Sequence, residues 1–278
     1  MIIIERIELD DVLTGGKDRF NSNNHWENNI KPVDYDNKLS ETETRYWIDK
    51  FHDSYTVINV NKKNLPWLKD AANIGKVTGN FSHIYDEDLE DLVSSHKFAN
   101  QDNVKYFVRA ESVSLKTGCN GVGPYLNVKS MIQSLVTSRS THTPIKEDTK
   151  HVKLYLLPWV DISHEFRVFV HNKKITAISQ QHLYEKDDYL HQFESDERNI
   201  KINEWVNLIN YYFNSTISSR IDIDSYVIDV AILSDGSPYF IEINTFGKEY
   251  ASGSSLYHWI IDEKILYGNG DDIYFRYV

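Results

Sequence analysis

Three side chains inside the stretch YVIDVAILSDGSPYFIEINTFG, residues 226–247, are of types that hold divalent cations: Asp229, Glu242 and Asn244. Two apolar runs flank a polar turn. The pair Asp235-Gly236 between alternating hydrophobics is a strong hairpin signal, and a type I′ turn on those two residues is expected. That register sets Asp229 directly opposite Glu242. Asn244 falls on the Glu242 face, two residues on and diagonal to Asp229. Directly opposed side chains have Cβ atoms roughly 4.5–5.5 Å apart, and like charges there destabilise a sheet. The expected same-face neighbours are apolar: Val227, Ala231, Leu233 and Phe240. Two carboxylates in such surroundings must take up a proton, find cations or bind a metal. The plainer alternative is an exposed hairpin face with ordinary surface carboxylates, and apolar flanks on both faces argue against it.

Other charged residues also fall on strand-like segments. In HEFRVFV, Glu165 and Arg167 share one face with Phe169, while Val168 and Val170 fill the other. Lys153 lies on the strand before, Arg109 ends an apolar strand, and Lys116 follows in a loop. Mg²⁺ favours oxygen ligands, usually one or two carboxylates together with substrate phosphates. Lysine and arginine neutralise such phosphates. The set is therefore coherent with a nucleotide polyphosphate and Mg²⁺. Each member has a plainer alternative. Glu165 and Arg167 form a structural ion pair, Lys116 and Lys153 are solvated lysines, and GCNGVG is a flexible connection rather than a phosphate cradle. The histidines show no paired metal spacing, and Cys119 has no adjacent histidine to make it a nucleophile.

The elements that must position these residues read as follows. Residues 1–13 hold a short strand, and 14–45 look like loop or a poorly ordered arm. Strands are expected at SYTVINV, from residue 104, at HVKLYLLPWV, and in the hairpin HEFRVFVHNKKITAISQ with HNKK as its turn. Helical spacing marks DEDLEDLV, VKSMIQSLV and INEWVNLINYYF, and SSLYHWIIDEKILYG is also helix-like. Hairpins make antiparallel pairs, so the fold class is α+β with largely antiparallel sheets. The expected division is an arm at 1–45, a subdomain at 46–103 and a nucleotide-binding region at 104–278.

The chain of 278 residues is acidic, with 41 Asp and Glu against 30 Lys and Arg and a net charge of −11. That disfavours broad contact with nucleic acid. No apolar run approaches the roughly 18 residues of a membrane span. A lone cysteine allows no internal disulfide and fits a reducing compartment, so a cytoplasmic (or host-cytoplasmic) location is expected.

YFVRAESVSLKTG, LYLLPW, HEFRVFVHNKKITAISQ, YVIDVAI, YFIEINTFG and SLYHW occur here in the order of the cell division cycle protein 123 family. The chain resembles that family over roughly residues 46–260. The resemblance implies an ATP-grasp fold, with ATP and Mg²⁺ held by two α+β subdomains. It maps Asp229, Glu242 and Asn244 onto the magnesium ligands, and Arg109 and Lys116 onto phosphate-binding lysines. Leu157 and Trp159 fall in the hinge against which adenine packs. Glu165, Arg167 and Gln180 match a Glu-x-Arg strand and the Ser-Gln pair after it. Glu242 departs from the usual Asp, Arg109 from the usual Lys, and Leu157-Pro158 from a basic pair. The implied function is assembly of translation initiation factor two through its gamma subunit. The alternatives are an ATP-dependent carboxylate–amine ligase working through an acyl phosphate, with Arg167 offsetting phosphoryl charge, and a binding module that has lost ATP.

Overall fold

A computed structural model describes residues 1–96, 104–139, 143–250, 252–268 and 270–278. Along the chain the described elements are β1 (Ile2–Arg6), α1 (Leu9–Arg19), α2 (Tyr35–Ser40), α3 (Ile48–Phe51), β2 (Thr56–Val60), α4 (Leu65–Thr78) and α5 (Asp86–Ser94). They continue with β3 (Tyr106–Arg109), α6 (Val128–Thr137), β4 (Val152–Pro158), β5 (Ile162–His171), β6 (Lys174–Gln180), α7 (Asp188–His191) and α8 (Ser195–Tyr212). The last are β7 (Tyr226–Leu233), β8 (Pro238–Thr245), α9 (Glu263–Leu266) and β9 (Ile273–Tyr277).

The chain forms two compact units, Met1–Glu43 with Asp161–Val278, and Thr44–Val160. The division differs from the expected one at residue 103, which lies outside the described residues. Strand β4 pairs with both β2 and β3, so residues before and after 103 share one sheet. Residues 1–43 are not a loose arm either. Strand β1 pairs in parallel with β9 in full register, Ile2 to Ile273 through Arg6 to Tyr277.

The smaller unit carries the three-stranded sheet β2-β4-β3, antiparallel throughout. One face presents Ile58, Val60, Val108, Val152, Leu154 and Leu156 to a core shared with α4 and α6. The amphipathic spacing of α6 buries Val128, Met131, Ile132, Leu135 and Val136. Its N-cap Asn127 accepts the Ser130 backbone N–H at 2.8 Å.

The larger unit carries a six-stranded sheet in the order β1-β9-β6-β5-β7-β8. Strands β5 through β8 are antiparallel, and β9 adds the parallel pairs with β6 and β1. The turn Asn172-Lys173 has φ of 49° and 61°, so the type I′ hairpin sits here and not at Asp235-Gly236. Helix α8 backs one face, with Trp205 against Phe166 at 5.3 Å between ring centroids. The segment 252–268 covers the other face, where Tyr257, Trp259 and Leu266 pack on Phe169, Ala177 and Val227. That segment was expected to be helical. It is mostly turns, with only the four residues of α9 helical: local backbone bonds such as Tyr257 N–H to Ser254 O close single turns, while Ser254 N–H goes to Ser22 O, Leu256 N–H to Ser179 Oγ and Trp259 N–H to Ser22 Oγ.

Candidate functional site

The β7–β8 hairpin closes through a three-residue loop. Gly236 N–H donates to Leu233 O and Leu233 N–H to Ser237 O, both at 2.9 Å, and only Gly236 of the central pair has positive φ, at 82°. This is a turn with a glycine bulge and not the expected two-residue I′ turn. Next to the turn the register is consequently one residue off, with Val230 opposite Phe240 and Ala231 opposite Tyr239. A bulge between Asp229 and Val230 restores it, so Asp229 stands opposite Glu242 and Val227 opposite Asn244. Phe240 therefore belongs with Val230, on the face away from Asp229. The two irregularities cancel at the carboxylates.

Across the sheet the carboxylate pair continues a row. Asp229 opposes Arg167 on β5, Arg167 opposes Ser179 on β6, Ser179 opposes Arg276 on β9, and Arg276 opposes Glu5 on β1. Six strands thus carry Glu5, Arg276, Ser179, Arg167, Asp229 and Glu242 side by side on one face. Arg167 grips Asp229 bidentately, Nε to Oδ1 at 2.9 Å and Nη2 to Oδ2 at 2.7 Å, and its Nη1 donates to Gly253 O at 2.6 Å. Asp229 is 1% exposed and Arg167 8%. On β8, Asn244 Nδ2 donates to Glu242 Oε1 at 3.2 Å, and both residues are half-buried.

The electrostatics follow from this placement. One guanidinium faces two carboxylates, so the group carries one net negative charge when both are ionised. Burial raises the Asp229 carboxyl above the usual range; Arg167 opposes that shift and Glu242 adds to it. For Arg167 burial works against the charged form, and the neighbouring carboxylates Asp229, Glu242 and Glu165 more than offset it. A carboxylate has about four lone-pair sites, and Arg167 takes two of those on Asp229. One site per oxygen is left, and with Glu242 and the Asn244 amide this is the oxygen-rich donor set that Mg²⁺ accepts. Among the described residues no group of three or more His, Cys, Asp or Glu is arranged to hold a metal. Any cation here would need further oxygens from its ligand or from water.

Two sequence expectations in this unit are corrected. Arg167 was expected to face phosphoryl charge, but three of its five N–H groups go to Asp229 and Gly253 O, and it is buried against them. It orients a carboxylate. Gln180 was expected to contact nucleotide. It opposes Phe166 and so lies on the other face. Its Nε2 donates to His182 O and Glu185 O, and its Oε1 accepts from Val278 N–H. Glu165 stays on the Arg167 face, its carboxylate 3.8 Å from His182 Nε2 and 21% exposed.

In the smaller unit Arg109, Lys153 and Leu157 share the sheet face turned away from the core, through the pairs Arg109–Tyr155 and Asn59–Lys153. Arg109 is nevertheless only 2% exposed. Its Nε donates to Thr44 Oγ1 at 2.8 Å and its guanidinium lies 4.6 Å over the Trp47 ring. Contact with a phosphate is not what this enclosed position offers, because the segment from Thr44 covers it. Lys153 is half-buried, Leu157 buried and Lys116 exposed in the loop after β3. Trp159 donates its backbone N–H to Lys105 O at 2.9 Å, and a Cβ at Gly123 would meet the Trp159 ring at 3.2 Å.

Sequence reasoning missed Ser179, Arg276, Glu5 and Asp262. Arg276 lies in IYFRYV, a strand-like run with one inward charge, which is the same signal that marked Arg167.

These features define an α+β protein whose larger sheet carries an arginine-buttressed carboxylate pair. The family model for D123 matches residues 126–278, and the chain belongs to that family. The translation initiation factor eIF2 assembly protein of Candida albicans (strain SC5314 / ATCC MYA-2876) is 31% identical over 125 residues, covering 44% of this chain. The matched stretch spans 34% of that relative's length. Among solved structures, C-terminally truncated Cdc123 from Schizosaccharomyces pombe has a TM-score of 0.59 at 15% identity, covering 87% of this chain and 97% of that one. Cdc123 from the same organism gives 0.57 at 16%, covering 86% and 97%. At such identities the likeness concerns the fold, and it agrees with the α+β class.

Proposed function

We propose that this chain binds ATP together with Mg²⁺, with Asp229, Glu242 and Asn244 as the protein ligands of the cation. We further propose that it acts in assembling translation initiation factor eIF2 by engaging its gamma subunit, in the cytoplasm. The observation that carries the first half is the row Arg167–Asp229–Glu242 with Asn244 beside it. Asp229 is buried and Glu242 half-buried beside it, and placing two carboxylates this close together favours a bound cation. The second half rests on family membership and on the name of the Candida relative.

In this reading Arg167 opposes the effect of burial by favouring the ionised form of Asp229, and it fixes the carboxylate plane. The Asn244 amide holds the Glu242 carboxylate through one oxygen. Bound Mg²⁺ would neutralise the polyphosphate and the residual charge of the carboxylate pair. Within the smaller unit taken by itself, Lys116 and Lys153 are proposed as phosphate-binding residues, and Leu157 and Trp159 as residues for packing on adenine. Glu165, near His182, is proposed to orient the nucleotide from the Arg167 face.

Calorimetric titration with ATP, in Mg²⁺ and in EDTA, tests the cation site. The wild-type protein is expected to bind much more tightly with Mg²⁺. Asn244→Ala is expected to weaken Mg²⁺-dependent affinity by at least about tenfold, or 1.4 kcal/mol. Unchanged affinity in both Asn244→Ala and Glu242→Gln would remove the metal assignment. Co-purification of the eIF2 gamma subunit, with and without ATP and Mg²⁺, tests the partner.

A further inference from the structure

The two buried arginines of the row clamp one segment of chain. Arg167 Nη1 donates to Gly253 O at 2.6 Å, and Arg276 Nη1 donates to Leu256 O at 3.2 Å. Between them, Ser179 Oγ accepts the Leu256 N–H at 3.1 Å, and Ser255 Oγ donates to Gln180 O at 2.7 Å. Segment 253–256 therefore crosses the strands along the row, from the Arg167 strand to the Arg276 strand. It is held under tension of its own: Ser255 adopts φ of 49°, a conformation that costs a non-glycine residue about 1 kcal/mol or more.

Arg276 is itself fixed on every side. Its Nε donates to Glu5 Oε2 at 2.6 Å, its Nη2 to Asp262 Oδ1 at 2.9 Å, and its guanidinium lies 4.3 Å over the Tyr257 ring. Arg19 Nη1 reaches Asp262 Oδ2 at 3.1 Å. None of these groups belongs to the carboxylate pair. What they fix is the carbonyl at 256, and through three residues the carbonyl at 253. The latter takes Arg167 Nη1, which leaves the Nε/Nη2 edge aimed at Asp229.

We propose that Arg276 is a positioning residue for the Asp229–Glu242–Asn244 site, acting through segment 253–256 and Arg167. This rests on the Mg²⁺–ATP reading above. Without Arg276 the segment loses its far anchor, Arg167 Nη1 loses a fixed acceptor, and the guanidinium no longer holds Asp229 in one orientation. Outer partners of metal ligands typically alter metal affinity by about 10–100-fold when removed.

The test is titration of ATP binding against Mg²⁺ concentration for wild type, Arg276→Lys, Arg276→Met and Ser179→Ala, with hydrogen exchange of the metal-free proteins. Arg276→Met is expected to raise the half-saturating Mg²⁺ concentration about tenfold and to speed amide exchange at 253–257. ATP affinity in EDTA should be unchanged. Arg276→Lys should recover part of the loss, and Ser179→Ala should shift the Mg²⁺ requirement in the same direction by less. If Arg276→Met does not fold, Arg276→Lys and Ser179→Ala carry the test, each expected to raise the half-saturating Mg²⁺ concentration above wild type. A wild-type protein indifferent to Mg²⁺ would overturn the site itself. A wild type that needs Mg²⁺, beside variants with the same Mg²⁺ requirement, would overturn the positioning role alone.

Discussion

At the scale of single residues, Asp229 has two roles that substitutions separate. It is a proposed cation ligand, and it is the counter-charge of a buried arginine. Removing one partner of a buried pair costs roughly 3–5 kcal/mol, because a charge is left uncompensated. Asp229→Ala is thus expected to lower the urea midpoint severely, whereas Asn244→Ala, whose side chain bonds only Glu242 among the described contacts, should unfold near wild type. Equal midpoints for the two would contradict the ion pair. Because burial raises the Asp229 carboxyl, Mg²⁺ affinity should strengthen as pH rises through that raised value. His52 gives a second pH effect. Burial, then the nearby Arg109 charge, lowers it from 6.5 to about 4. The folded protein keeps it neutral where the unfolded chain takes a proton. Its stabilisation is therefore present above 6.5 and is lost as pH falls toward 4, roughly 3 kcal/mol in all. Urea midpoints for wild type and His52→Gln should converge as pH drops through this window; parallel curves would refute it.

At the scale of elements, close approach overrides propensity. Gly75 lies in α4, where alanine would ordinarily gain about 0.8–1 kcal/mol. A Cβ there would meet Val136 O of α6 at 2.5 Å, a backbone atom that cannot swing aside. Gly75→Ala should therefore destabilise, and a higher melting temperature for the variant would show that the two helices separate freely. The β7–β8 hairpin teaches a related lesson. Apolar alternation correctly placed Asp229 across from Glu242, yet for an incomplete reason. The loop is one residue longer than Asp-Gly chemistry suggests, and a bulge at Ile241 compensates. Local sequence cannot announce that pair of faults, because each is decided by how the strand fits its neighbours. Gly236, at φ of 82°, remains the turn's conformational requirement. Gly236→Val should cost about 1–2 kcal/mol in urea unfolding and leave Mg²⁺–ATP affinity unchanged, since the bulge insulates the carboxylates.

At the scale of the whole molecule, a ligand that binds only the folded chain stabilises it. At a hundred times its dissociation constant the gain is about 2.7 kcal/mol, which raises the melting temperature of a chain this size by roughly 5–10 °C. ATP with Mg²⁺ should produce that rise and either alone much less; a melting curve indifferent to the mixture would count against the cation site. The sequence by itself determined the strand hairpins, the α+β class and the meeting of Asp229 with Glu242. Those follow from periodicity of two and from pairing between strands only a turn apart, which are local matters. Only the tertiary structure decided that Arg167 serves Asp229, that Gln180 faces away, and that Arg109 is enclosed by the segment from Thr44. It alone brought Arg276 and Glu5, 271 residues apart, into the same row. Each of those outcomes depends on which strand lies beside which, and strand order is set by burial of the whole sheet, a quantity that no short stretch of chain contains.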